Sequence, residues 1–266
     1  KSNFKIIGAS VAFVLSLLAE TIFLVSSYHL WIKKPVWWYL FKINELNYVM
    51  IKLPKFHKSF DYENNFYLSC DNSRIGKIVT HYELLKLSSN IPGSIIECGV
   101  FKGISLIRLA TFLKLLKSNK KIIAFDAFGK HPTTKISSDH KRRNILLSQG
   151  KEGISEKQLT NILKRKGLEK NIKLIKGDIT ETVPKYLELN PKLKISLLNL
   201  DVDFYEPSMS ILKNFYPRLS KGGILMLDDY GIWDGETMAV NKYFHGKKIK
   251  IRKSLFSQTP SYVIKN

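Results

Sequence analysis

Apolar residues along the chain fall into short, strand-length runs separated by stretches with helical spacing. The runs lie at 94–100 (SIIECGV), 121–127 (KIIAFDA), 172–176 (IKLIK), 195–202 (ISLLNLDV) and 223–228 (GILMLD). Between the first two, segment 103–117 carries Ile104, Ile107, Leu109, Leu113 and Leu116 at helical spacing. Segments 156–166 and 206–219 repeat that pattern, and Pro207 suits the first turn of a helix. Near-continuous apolar strands alternating with helices predict an α/β fold, a doubly wound and mostly parallel sheet covered on both faces. The tail reads differently: 247–253 and 261–265 form two strands with no helix between them, so the C-terminal edge of the sheet is expected to be antiparallel.

Two segments depart from the alternation. Residues 129–155 are polar, rich in Gly, His, Pro, Ser and Thr, and show no clear period. A connection this long in a compact domain reads as a functional lid. Residues 6–32 are apolar apart from Glu20, His29 and scattered Ser and Thr. That stretch exceeds the ~20 residues a helix needs to cross a bilayer. Lys33 and Lys34 follow it, then Trp37, Trp38 and Tyr39, which have the character of an interfacial belt. A membrane anchor, a packed or oligomer-forming helix and a signal segment remain open for this stretch, because Glu20 is costly at mid-membrane. The domain division that results is a hydrophobic N-terminal helix at 1–34, a linking or lid segment at 35–75, and the α/β domain at 76–266.

The 266 residues suffice for one large domain, and 44% hydrophobic with 24% charged residues excludes a disordered chain. With 43 Lys+Arg against 22 Asp+Glu the net charge is +21, which favours anionic partners without naming one. Cys70 and Cys98 share no metal-ligand spacing, and Cys98 lies in an apolar run, so a reducing compartment is expected.

Candidate chemistry is concentrated at strand ends, where open α/β sheets bind ligands. Glu97 and Gly99 close the first run, Asp126 the second, Asp178 follows the third, Asp201 and Asp203 the fourth, and Asp228 and Asp229 the fifth. Any one of these could be a turn or cap residue; five successive acidic strand ends are harder to explain that way. The loop Glu97-Cys98-Gly99-Val100-Phe101-Lys102-Gly103 is not GxGxxG, and a carboxylate before its glycine repels a pyrophosphate but suits a sulfonium or ammonium. Asp126 follows at a spacing that suits a ribose hydroxyl. Together these features favour S-adenosylmethionine over a nicotinamide dinucleotide.

The motifs IIECGVFKGIS (95–105), FDAFGKHP (125–132), KGDI (176–179), LDVDFYEP (200–207) and GGILMLDDYG (222–231) resemble the macrocin O-methyltransferase family over about residues 60–265. SRIGK at 73–77 and SYVIK at 261–265 are most similar to its deoxyhexose 3-O-methyltransferases. The resemblance implies a seven-stranded class I methyltransferase fold, S-adenosylmethionine, Mg²⁺ and a sugar diol, nucleotide- or lipid-linked. It implies cofactor contacts at Glu97, Gly99, Phe101, Lys102, Gly103, Ser105, Asp126, Phe128, Asp178, Ile179 and Asp201, and a metal held by Asp201, Asp228 and Asp229. The apolar N-terminal segment departs from the family's soluble members.

A protonated alcohol is a poor nucleophile, so the reaction needs a base and a Lewis acid. Asp203, two residues beyond Asp201 on the same side of a strand, is the expected base, with His131 the alternative. Arg74 reads either as a ligand for the cofactor carboxylate or substrate, or as a surface arginine. His57, His81, His140 and His245 have no supporting context. A nucleic-acid methyltransferase would show an aromatic Asn/Asp-Pro-Pro-Tyr type loop where this chain has Asn199-Leu200-Asp201-Val202-Asp203, and a binding module has no need of four such aspartates. The expected setting is the cytoplasm, with residues 6–32 anchoring the domain to the inner face of a membrane.

Overall fold

The computed structural model of the protein describes residues 51–130, 136–148 and 152–266. The apolar segment 6–32 and His131 lie outside the described residues. Among the described residues no helix is long and apolar enough to cross a membrane.

Two helices, α1 (Ser59–Ser69) and α2 (Asn72–Leu87), precede the sheet. Both start within the segment expected to be a linker. Asp71 caps α2 by accepting from the Ser73 amide at 2.8 Å. Then follow β1 (Ser94–Cys98), α3 (Ile104–Leu115), β2 (Ile122–Asp126), α4 (Ser137–Ser148), α5 (Glu156–Lys166) and β3 (Ile172–Lys176). The chain continues through α6 (Ile179–Leu189), β4 (Ile195–Leu200), α7 (Tyr205–Phe215), β5 (Leu219–Leu227), α8 (Asp234–Phe244), β6 (Arg252–Lys253) and β7 (Ser261–Ile264).

The seven strands form one sheet in the order β3-β2-β1-β4-β5-β7-β6. Strands β1 to β5 are parallel, while β7 runs antiparallel between β5 and β6. Alternate side chains of the buried strands serve two cores, as the strand period of two requires. Ile96, Cys98, Phe125, Leu198 and Leu225 pack with Val183, Ile211, Phe215 and Val240 of α6, α7 and α8. Ile95, Ala124, Leu197 and Met226 pack with Leu84, Leu109 and Leu159 of α2, α3 and α5 on the other face. Each Val, Leu, Ile, Phe or Met among them contributes ~1.5–3 kcal/mol on burial, so the sheet is held from both sides.

Local signals set the ends of α5. Ser155 and Gln158 form a capping box, Lys164, Arg165 and Lys166 complement the C-terminal dipole, and Gly167 ends the helix in a left-handed conformation. The region 129–155, which showed no clear period in the sequence, contains the helix α4. Leu146 is the one buried apolar residue among the described side chains of α4. The helix docks instead through polar groups. Buried Asp139 accepts from the Tyr205 amide at 2.7 Å, and the Arg142 guanidinium lies 3.5 Å from the centre of the Trp233 ring. Asp139 thereby supplies α7 with the cap that its own N-cap residue, Phe204, lacks.

Candidate active site

The carboxyl ends of β1 to β5 surround a cavity of about 920 Å³, at the upper end of the ~300–1,000 Å³ typical of small-molecule sites. Gly99, Phe101, Lys102 and Ser105 line it from the loop after β1, and Asp126 from β2. Asp178 and Ile179 line it from the loop after β3, Asp201 and Asp203 after β4, and Asp228 and Asp229 after β5. Three predicted residues are not on its wall. Gly103 is the N-cap of α3, the Phe128 side chain belongs to the core, and Glu97 is wholly buried.

Gly99 fixes how closely the first and fourth strand ends approach. Its φ is +93°, and a Cβ there would lie 1.6 Å from the Asp201 carbonyl oxygen. No other residue fits. Asp126 holds the same loop from the opposite side. One of its oxygens accepts from the amides of Val100 at 2.7 Å and Phe101 at 3.0 Å, and the other from Phe128 at 2.6 Å. Both oxygens of its carboxylate thus accept from the backbone, Oδ1 from one amide only, and the residue also lines the cavity. Asp178 divides its two oxygens. One accepts from the Thr180 amide and hydroxyl at 2.8 and 2.7 Å, capping α6, which leaves the other for a ligand.

Glu97 replaces an apolar residue on the face that β1 turns towards α2 and α3. Burial pushes its carboxyl up to about 8, although the Ser105 hydroxyl donates to it. It is protonated at neutral pH, with one oxygen buried and unpaired.

The carboxylates after β4 and β5 form the electrostatic centre. One oxygen each from Asp201, Asp228 and Asp229 lies within 4.8 Å of the others. Burial and then Asp228 push Asp201 well above the usual carboxylate range. Burial, followed by Asp201, Asp203 and Asp228, pushes Asp229 up to about 10, and the Asp203 side chain hydrogen-bonds to it. Burial would also raise Asp228, but His81 and Lys77 together hold it low. The Lys77 ammonium donates to its Oδ2 at 2.6 Å. Burial lowers Lys77, yet Asp228, Asp201 and Asp229 outweigh it and keep the ammonium charged. The other oxygen, Asp228 Oδ1, which has only His81 Nε2 nearby at 3.9 Å, and Asp229 Oδ2 are both buried without a hydrogen bond. Hard, clustered and partly orphaned oxygens are the donor set a divalent cation such as Mg²⁺ takes, so these residues fit the ion.

Several residues here carry no legible sign in the sequence. His81 is fully buried, neutral because burial lowers it, and places Nε2 3.9 Å from Asp228 Oδ1. That contact is therefore no ion pair. Its Nδ1 lies 3.4 Å from the Arg108 guanidinium. Arg108 and Arg74 both line the cavity and repel one another. Asp203 sits at φ +60° in a γ-turn, with the Phe204 amide donating to the Val202 carbonyl at 2.6 Å. Such backbone is strained for a non-glycine residue, and strain of this kind gathers at functional sites.

The strand order, and a ligand cavity at the carboxyl ends of the parallel strands, define the class I methyltransferase fold. The structure of the O-methyltransferase NovP superposes with a TM-score of 0.61 at 20% identity, covering 72% of this chain and 80% of that one. Calicheamicin methyltransferase CalS11 superposes with a TM-score of 0.58 at 23% identity, covering 76% and 83%. The chain belongs to the macrocin-O-methyltransferase (TylF) family, whose signature matches residues 71–258. One relative is the 8-demethyl-8-(2,3-dimethoxy-alpha-L-rhamnosyl)-tetracenomycin-C 4'-O-methyltransferase of Streptomyces olivaceus, 29% identical over 59% of this chain and 60% of that protein. Another is the demethyldecarbamoylnovobiocin O-methyltransferase of Streptomyces niveus, 26% identical over 59% and 60%. The chain thus spans about 60% of the length of these curated relatives.

Proposed function

We propose that this protein transfers a methyl group from S-adenosylmethionine to a sugar hydroxyl, with a divalent cation, Mg²⁺ or similar, held by Asp201, Asp228 and Asp229. The observation that carries the reading is the carboxylate cluster with two orphaned oxygens, opening into the cavity that the Gly99 loop also lines. S-adenosylmethionine supplies an electrophilic methyl group when bound, and a divalent cation lowers the pKa of an alcohol oxygen it coordinates. Phe101, Lys102, Ser105, Asp178 and Ile179, which all line the cavity, would form the donor's side of it. Two guanidiniums that line the cavity, Arg74 and Arg108, suit the donor's carboxylate. Asp203 lines the cavity beside the three metal-site aspartates and stands in the strained turn, which supports the reading that it takes the hydroxyl proton.

On the acceptor side, Arg142 is stacked on Trp233 with its Nε buried and unpaired, and both residues line the cavity. A guanidinium so placed favours an acceptor carrying a diphosphate, as in a nucleotide-linked or lipid-linked deoxyhexose. The apolar segment 6–32, followed by Lys33, Lys34 and Lys42, supports a tether to the inner face of a membrane. Labelled S-adenosylmethionine incubated with a panel of nucleotide-linked deoxysugars, with and without chelator, tests the reaction. Chelator-sensitive label in the sugar is the expected result. Transfer that is indifferent to excess chelator would remove the cation, and no transfer to any sugar would remove the acceptor class. Membrane sedimentation that resists a high-salt wash tests the tether, and release by salt alone would exclude a spanning helix.

A further inference from the structure

Glu236 lies in the first turn of α8, where a glutamate ordinarily faces solvent, yet it is completely buried. Its two hydrogen bonds reach two different functional loops. The Glu236 amide donates to the Asp203 carbonyl at 3.2 Å, and its Oε1 accepts from the Asp229 amide at 3.2 Å. The approach is possible because the preceding residue is Gly235. A Cβ there would lie 2.7 Å from the Asp203 carbonyl oxygen and 2.5 Å from an Asp139 carboxylate oxygen.

The consequences for the two aspartates differ. The Asp229 carbonyl already accepts from the amides of Ile232 at 2.9 Å and Trp233 at 3.0 Å. With its amide held by Glu236, both backbone groups of Asp229 are fixed and the carboxylate is left to swing only about its own side-chain bonds. Asp203 stands in a strained γ-turn that would relax if its carbonyl were released. We infer that Glu236 is a positioning residue that sets the cation ligand Asp229 against the base Asp203, one through its side chain and the other through its backbone. The inference rests on the reading of Asp229 as a cation ligand and Asp203 as the base.

Two variants of the full chain separate reach from mere burial. Glu236→Gln keeps an acceptor at the same distance. Glu236→Asp keeps the carboxyl chemistry but is one methylene too short for the Asp229 amide, while its own amide still holds Asp203. Mn²⁺ affinity, followed by electron paramagnetic resonance on the protein alone, should fall about 10–100-fold in Glu236→Asp, the range for outer residues that orient metal ligands. Glu236→Gln should stay within about threefold of the unsubstituted protein on the same scale. S-adenosylmethionine affinity, measured by calorimetry without metal, should be alike in all three, which a general loosening of the fold would not allow. Unchanged Mn²⁺ affinity in Glu236→Asp would overturn the inference alone, as would a Gln variant as weak as the Asp variant. A parallel loss of cofactor affinity would overturn it in favour of a structural role. Absence of Mn²⁺ binding by the unsubstituted protein would overturn the cation reading and this inference with it.

Discussion

Replacing Glu97 with Gln should alter the pH dependence of stability more than stability itself. The Glu97 carboxyl has an ordinary value of 4.5 and is pushed up to about 8 in the fold, first by burial. A raised carboxyl is stabilising-neutral only below its unfolded value. Between pH 4.5 and 8 the folded protein keeps a proton that the unfolded chain has released. Stability therefore falls as pH rises through this window, by ~1.4 kcal/mol per pH unit and ~5 kcal/mol in all. Gln cannot titrate and still accepts from Ser105, so the variant lacks this slope. From pH 5 to pH 7 the two proteins should diverge by roughly 2.5–3 kcal/mol, equivalent to about 5–10 °C in Tm for a chain of this size. Denaturant unfolding of both proteins at pH 5, 6, 7 and 8, without ligand or divalent cation, gives the two profiles. Subtracting one from the other cancels the carboxylates common to both, including Asp201, Asp229 and Glu236. Parallel profiles would show that Glu97 is ionised in the folded protein, and the account of it as a buried, protonated carboxyl would fail.

Other outcomes follow from the same geometry. Asp126→Ala leaves three backbone amides without their acceptor. At ~1–3 kcal/mol for each unmet donor, S-adenosylmethionine affinity by calorimetry should drop at least ~10-fold, and an unchanged value would mean that the loop is held by other contacts. Asp203→Asn should lower kcat by roughly 100-fold, the scale of general-base catalysis, while Mn²⁺ affinity stays near that of the unsubstituted protein; the reverse pattern would make Asp203 a ligand. Lys77→Met strips Asp228 of its ammonium. Breaking a buried pair costs ~3–5 kcal/mol, nearer the lower figure here because the Lys77 side chain is 24% exposed. Added Mg²⁺ should then raise Tm more in the variant than in the unsubstituted protein, and equal shifts would refute a shared electrostatic site.

Strands β1, β2, β4 and β5 were legible because the fold buries them on both faces and they leave near-continuous apolar runs, while the edge strand β3, only partly buried, was legible from its Ile and Leu alone. Helix α5 was legible too, because its capping box and terminal glycine are written locally. Helix α4 was not legible, because its docking depends on Asp139 and Arg142 rather than on an apolar stripe. The strand-end aspartates were found by position, but position could not apportion their duties. Asp126 and Asp178 both spend oxygens on backbone amides, the ordinary use of aspartate in a turn, and only the fold shows how much of each remains. Lys77, His81 and Glu236 left no signal, since each is a polar residue in a helix until tertiary packing turns it inward. No spacing rule connects residue 77 to residue 228.

That last separation also governs the order in which the molecule is assembled. Lys77 and Asp228 stand 151 residues apart, so their meeting carries the loop-closure cost of a late step. Strands β4 and β5 are joined by a single helical crossover through residues 201–218, a far smaller loop to close, so Asp201 and Asp228 are expected to meet before α2 docks. In that interval the aspartates face one another without an ammonium. The half-assembled chain must either hold protons on them or draw a cation from solution. Refolding should accordingly be faster in Mg²⁺ than in chelator at neutral pH, and the difference should shrink as acid supplies the protons instead. An ion retained for chemistry would then first have served as a template for the chain around it.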